Sequence, residues 1–187
     1  MKLKDYLLSV EDFPEEELDQ ILSSFKQQVL KKNTIVAKAG LVCNTLYYME
    51  KGLARSYYNN AEGKDITAWF FNEGNFMTSM ESFFHKKNSA YHLELLEDSL
   101  LYAISKDDLD QLFLNFPLME RFGRKLVIKL LGDMMGKLNA IQFQTAKERY
   151  LFMINEYPDL YYRVPLGHIA SYLGITQETL SRIRAKN

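Results

Sequence analysis

The chain has 187 residues, 47 % of them hydrophobic and 25 % charged, which suffices for one large core or two modest ones and is too apolar for disorder as the main state. A single cysteine, Cys43, excludes an internal disulfide, a four-thiolate zinc site and an iron–sulfur cluster held by cysteines of one chain. The net charge of −1 excludes a chain that is basic throughout.

The opening stretch MKLKDYLLSVEDF carries acids where a secretion signal would keep an apolar run, and no segment approaches the ~20 apolar residues of a membrane span. A cytoplasmic protein that does not engage a membrane is expected. Asp12 as cap, Pro14 in an early turn, and Leu18, Ile21, Leu22 and Phe25 at helical spacing predict the first helix.

From about Val29 to Ile104 the pattern changes to short runs rich in Tyr, Phe, Ile and Val. Gly40, Gly52, Gly63 and Gly74 punctuate it at intervals of 12, 11 and 11 residues, as short antiparallel strands joined by tight turns require. The runs TLYYME, LARSYY, DITAWFF, His92 to Leu96 and Ser99 to Ile104 read as strands, with Glu97-Asp98 turning between the last two. A β-sandwich, a jelly roll or a small barrel fits this spacing. Within it, Cys43 reads as a buried spectator thiol in preference to a redox sensor. His85, His92 and His168 are too scattered for a metal motif. The aromatic residues Tyr47, Trp69, Phe71 and Phe76 read as core.

Helical periodicity returns at Ser105, a cap-like residue with Asp108 three positions on and Leu109, Leu112 and Phe113 behind it. Pro117 interrupts before a longer helix. There Val127, Leu131, Met134, Leu138 and Ile141 are spaced 4, 3, 4 and 3, a coiled-coil seam, while Phe122, Leu126 and Leu130 make a second stripe. Two stripes need two partners. The β-domain is one, and the same helix of a second subunit is the expected other; burial on both sides within one chain is the alternative. Another helix, Thr145 to Glu156, stops at Tyr157-Pro158 because the residue before proline avoids the helical region.

The segment LGHIASYLGITQETLSRIRAKN has the features of a helix-turn-helix. Ala170 permits close helix crossing, Gly174 supplies the turn, and Ile169, Leu173, Ile175, Leu180 and Ile183 hold the pair together. Thr176 caps the second helix. Gln177, Glu178, Ser181 and Arg182 share its outer face at the N-terminal half, the part that enters the major groove in this motif. Arg182 can donate twice to a guanine edge, Glu178 can accept from a cytosine amino group, and Gln177 or Ser181 can serve adenine or adapt. Arg163, Thr176, Thr179, Arg184 and Lys186 suit phosphates. A hairpin of helices that only packs is the competing account.

The order of roll, long helix and terminal helix-turn-helix, with ETLSRIR close to an E-x-x-S-R pattern, resembles the Crp/Fnr family of transcriptional regulators over nearly the whole chain. The resemblance implies an α+β architecture: residues 1–116 a cyclic-nucleotide-binding-like β-roll (jelly roll), 117–142 a connecting and dimerisation helix, and 143–187 a DNA-binding unit. It implies a homodimer on double-stranded DNA, RNA polymerase as a further partner, a small-molecule effector of unknown identity, and no enzymatic activity.

Two departures stand out. Where the family's cyclic-nucleotide binders carry a Gly-Glu pair and then an Arg-Ser or Arg-Thr pair, GNFMTSMESFFHKKNSAY places Thr78-Ser79 and Asn88-Ser89. With Phe76, these make the candidate effector pocket. A buried phosphate there would lack its cation, so tight cyclic-AMP binding is not expected, and Lys86 and Lys87 read as a solvated loop rather than substitutes. No haem ligand is identifiable, and no cofactor is predicted. Secondly, a β-hairpin wing usually follows the recognition helix, whereas this sequence reaches Asn187 at once, so weaker and more salt-sensitive DNA binding is expected. Two other readings stay open. One is a sensor or interaction module of the same fold without DNA binding. The other, a cupin-type metal enzyme, needs a histidine cluster where only His85 and His92 fall in the roll, with Glu81 and Glu94 as ordinary surface acids.

Overall fold

The computed structural model describes residues 1–185. Two short helices lead, α1 (Leu3–Val10) and α2 (Glu15–Ser23). The sequence reading missed α1, although Leu3, Tyr6 and Leu7 recur at helical spacing and are buried. It also misplaced the cap of α2: Pro14, not Asp12, is the N-cap residue, and no side chain caps that end.

Six strands follow, β1 (Lys26–Leu30), β2 (Ile35–Ala37), β3 (Thr45–Lys51), β4 (Ala54–Asn59), β5 (Asp65–Phe71) and β6 (Phe76–Met77). A short helix α3 (Met80–His85) precedes β7 (His92–Leu95) and β8 (Ser99–Ser105). The strands form two antiparallel four-stranded sheets, ordered β1-β8-β3-β6 and β2-β7-β4-β5, a jelly-roll sandwich. Met49, Ala54, Met77, Leu95 and Leu101 fill the space between them. The punctuating glycines all take positive φ. Gly52 is also a close approach: a Cβ there would lie 2.2 Å from Ser99 Oγ.

The helical part comprises α4 (Lys106–Asn115), α5 (Pro117–Phe143), α6 (Ala146–Glu156), α7 (Leu160–Arg163), α8 (Leu166–Leu173) and α9 (Gln177–Ala185). Ser105 caps α4 by accepting from the Asp108 N–H, and Pro117 opens α5. Thr145 and Glu148 make a reciprocal capping box on α6. Leu3, Leu7, Ile21, Tyr48, Leu109 and Phe122 share one core, so α1, α2, α4 and the first part of α5 are fixed to the first sheet. A second core joins Leu53, Phe70 and Leu96 of the roll to Tyr150, Ile169, Ala170 and Leu180. The C-terminal helices therefore pack on the outer face of the second sheet.

Candidate nucleic-acid interface

Local chemistry builds the two-helix unit. Gly174 (φ 67°) ends α8 in the left-handed region, and the next N–H, of Ile175, returns to the Ala170 carbonyl at 3.0 Å. Arg149 of α6 donates to the Leu173 carbonyl at 3.0 Å, placing a cation on the negative end of α8. Thr176 Oγ1 accepts from the Thr179 N–H at 3.2 Å, as an N-cap should. Ile169, Ala170, Leu173 and Leu180 are buried, and Ile175 and Ile183 pack against them.

Gln177, Glu178, Ser181 and Arg182 are all exposed on the first turns of α9. Glu178 is held below the usual carboxylate range by hydrogen bonds from its own backbone N–H and the Thr176 hydroxyl, with lesser help from Arg182 and Lys64. It is an ionised acceptor beside a guanidinium donor. Gln177 leans back toward α8, since a Cβ on Gly167 would lie 2.7 Å from its Nε2.

The expected phosphate residues fare unevenly. Thr176 is exposed with its hydroxyl engaged in the cap and 3.2 Å from that of Thr179. Arg184 donates to the Tyr161 hydroxyl and lies 4.2 Å over that ring, which leaves it partly covered. Lys186 lies outside the described residues. Arg163 departs from the expectation: its guanidinium is committed to the roll. It contacts Glu97 at 2.9 and 2.7 Å, Glu73 at 3.0 and 2.7 Å and the Gly52 carbonyl at 3.1 Å. These partners, Glu97 foremost, raise its pKa well above the ordinary arginine value. A guanidinium between two carboxylates carries no surplus positive charge for DNA.

Two further cations tie the unit down, and sequence reading assigned neither a role. Arg55 is buried, reaching Asp65 at 2.5 Å, Glu94 at 2.8 Å, Thr67 at 3.2 Å and His168 Nδ1 at 2.7 Å. Arginine can only donate, so Nδ1 accepts and His168 is neutral. Burial, then the Arg55 charge, lowers the His168 pKa against the opposing pull of Asp65 and Glu94. Lys137 of α5 donates to the Ala68 carbonyl, with its ammonium 4.0 Å from the Tyr172 ring centre and 5.0 Å from that of Trp69. Burial brings its pKa down to about 8. The signal for Arg55 was a lone charge inside the apolar run LARSYY; nothing local distinguished Lys137.

On α5, Phe122 is buried and Leu126 and Leu130 are half-buried toward the roll. The seam residues Val127, Leu131, Met134, Leu138 and Ile141 are 44–59 % exposed, joined by Ile128 and Met135. Burial of both stripes within one chain is thereby excluded.

Inside the roll, Phe76, Thr78 and Ser79 line a cavity. Asn88 and Ser89 do not: Asn88 bridges to Val42, and the buried Ser89 hydroxyl is bonded to the Tyr91 backbone and lies 2.8 Å from Ser79 Oγ. The reason is local folding: α3 ends at a left-handed Lys86, after which Asn88 is exposed and Ser89 bonds within its own loop. Lys87 pairs with Glu81 at 2.9 Å. Tyr47 belongs to the core between the sheets, as expected, whereas Trp69 and Phe71 also line the cavity. Cys43 is buried beside the Thr78 hydroxyl. Among the described residues no cluster of His, Cys, Asp and Glu could hold a metal ion, and no helix is long and apolar enough to cross a membrane.

Comparison with known proteins agrees with this geometry. Residues 27–116 match the cyclic nucleotide-binding domain family. Over 181 residues, 90 % of the chain, the sequence is 23 % identical to an anaerobic regulatory protein of Haemophilus influenzae, covering 70 % of it. It is 26 % identical over the same share to a fumarate and nitrate reduction regulatory protein of Yersinia pestis, covering 72 % of it. The fold is similar to that of the catabolite activator protein of Thermus thermophilus (TM-score 0.61, 20 % identity, 97 % of this chain and 85 % of that one). It is also similar to a CooA variant of Carboxydothermus hydrogenoformans (TM-score 0.71, 19 % identity, 96 % and 81 %).

Proposed function

We propose that this chain, a Crp/Fnr-type DNA-binding transcriptional regulator whose residues 27–116 match the cyclic nucleotide-binding domain family, acts as a homodimer whose two α9 helices read successive major grooves. Residues 1–116 sense, 117–142 pair the subunits and 143–187 read DNA. The observation that carries the proposal is the exposure on one chain of two surfaces, of which the apolar one is what a solitary chain would bury. These are the polar face of α9, with Gln177, Glu178, Ser181 and Arg182, and the apolar seam of α5.

Pairing along α5 suits a near-palindromic site with half-sites about 34 Å apart. Arg182 is the residue assigned to a guanine edge, Glu178 to a cytosine amino group, and Gln177 and Ser181 to adaptable contacts. Thr176, Thr179 and Arg184 remain the phosphate contacts, Arg184 after leaving Tyr161. RNA polymerase is the further partner of such a regulator. The roll senses a small molecule, and cyclic AMP is not its ligand, because the cavity's sheet wall carries no cation to meet a phosphate and the two on its α5 side, Arg124 and Lys129, are exposed, Lys129 in a pair with Asp133.

Selection from a random DNA pool tests the reading. The wild-type protein enriches a near-palindrome. Arg182→Ala loses base preference at one position per half-site, costing about 1–3 kcal/mol there. An unchanged selection by Arg182→Ala removes the base-reading assignment. No binding to any pool at low salt, by a proven dimer, favours instead a sensor module of the same fold.

A further inference from the structure

An open cavity of about 850 Å³ is lined by the second sheet, by Leu46 and Phe76 of the first, by Leu109 and Phe113 of α4, and by α5. A space of this size falls in the range of small-molecule sites. One irregularity in the second sheet shapes its wall there. The β4–β5 register slips between Ser56 and Tyr57, leaving Ala68 extra between Thr67 and Trp69. Ala68 and Trp69 therefore both line the cavity, while Thr67 and Phe70 turn to α8.

The inner wall, with Ser56, Ala68, Trp69, Phe71 and Leu93, carries no charge. Its neighbouring hydroxyls are spent on the protein: Thr78 donates to the Thr45 carbonyl at 2.9 Å and Ser79 lies against Ser89. Two bases lie near this wall and both are committed: Arg55 is directed away, to Asp65, Glu94 and His168, and the Lys137 ammonium is held by the Ala68 carbonyl and the Tyr172 and Trp69 rings. The charged side chains on its lining, Glu81, Glu120, Arg124, Lys129 and Asp133, are all exposed, and Glu81 and Asp133 are paired with Lys87 and Lys129. An anion drawn inside would lose its water and meet no uncommitted cation.

We propose that this cavity binds a neutral, predominantly apolar ring compound of small-molecule size, held by Trp69 and Phe71. The assignment rests on the sensing role given to the roll and is independent of DNA reading. The partner's α5 does not compete for the inner wall. A helix is about 10–12 Å across with its side chains, so it can cover the rim at Val127, Ile128 and Met134 but cannot enter between sheets about 10 Å apart.

Trp69 is the sole tryptophan and lines the cavity, so fluorescence of the intact chain reads occupancy without DNA. The probes are N-phenyl-1-naphthylamine, which is neutral, and 8-anilinonaphthalene-1-sulfonate, which has similar rings and a negative charge. The neutral probe is expected to saturate at one per chain, quench Trp69 by energy transfer, and bind at least tenfold more tightly than the sulfonate, with cyclic AMP failing to displace it. Ala68→Leu, which fills the inner wall, should weaken the neutral probe at least tenfold, and Leu131→Glu on the outer seam should leave it unchanged. Equal or tighter binding of the sulfonate, displacement by micromolar cyclic AMP, absence of saturable binding, or loss with Leu131→Glu but not with a folded Ala68→Leu each overturns the proposal. If Ala68→Leu does not fold, the comparison of the two probes on the wild-type chain decides.

Discussion

Replacing Arg163 with methionine cuts the strongest electrostatic tie between the C-terminal helices and the roll. Five donor–acceptor contacts go, two to Glu97, two to Glu73 and one to the Gly52 carbonyl, and two carboxylates are left facing each other. The Arg163 side chain is 22 % exposed and each carboxylate 32 %, so water screens part of the loss. A single hydrogen bond to a charged group contributes about 1.5–3 kcal/mol. Five correlated and partly screened contacts should cost about 2–3 kcal/mol in total, below the 3–5 kcal/mol typical of a fully buried pair that loses one partner. Urea denaturation at pH 7, followed by Trp69 fluorescence, measures it. Adding Glu97→Gln should restore part of the loss by removing one of the stranded charges.

Acid gives an independent check. Burial pushes the Glu73 carboxyl up, but hydrogen bonds from Arg163 and from the backbone of Glu73 and Gly52 outweigh it, and the net pKa lies below the ordinary 4.5. The folded state therefore holds fewer protons than the unfolded one below pH 4.5, and this stabilisation is lost as pH falls through the depressed value. Arg163→Met should flatten that acid limb. The DNA readout separates the two roles considered for Arg163. A phosphate contact would lower the slope of log affinity against log salt by about 1, whereas the tie to the roll predicts no change in slope. A stability loss under 0.5 kcal/mol with a reduced salt slope would refute the structural role.

Glutamate at both Leu131 and Leu138 should turn the dimer into a monomer in sedimentation velocity at micromolar concentration and weaken DNA binding at least tenfold, because each charge enters an apolar seam. The His168 pKa lies below its ordinary 6.5, so between the two values the unfolded chain holds more protons and stability falls as pH drops from 6.5. His168→Asn should remove that slope in denaturation curves from pH 7 to pH 5. Gly52→Ala should destabilise by about 2 kcal/mol or more, since the new Cβ meets Ser99 at 2.2 Å in a backbone at φ 116°. Gly174→Ala, with nothing within 4 Å of the added Cβ, should cost only about 1 kcal/mol for its left-handed backbone. Similar melting losses for the two would remove the argument from close approach.

Local grammar was legible along much of the chain. Ser105, Pro117, Thr145, Gly174 and Thr176 mark helix ends because each acts on backbone groups within a few residues, and the alternating runs marked five strands. The spacing from Val127 to Ile141 showed an apolar seam, and the outer face of α9 could be assigned from helical geometry alone. Both inferences need only neighbours on one helix.

What the sequence could not determine was how distant segments spend one another's charges. Arg163 is separated from Glu73 by 90 residues and His168 from Arg55 by 113, and no local pattern records such pairings. Whether an arginine faces DNA or its own roll is decided by which carboxylates the packed sheet brings within 3 Å, and that requires the tertiary fold. The placing of both Ala68 and Trp69 on the cavity wall depends likewise on one extra residue, a register event visible only once β4 and β5 are paired. Periodicity is a property of one element, whereas charge compensation and empty space belong to the contact between elements.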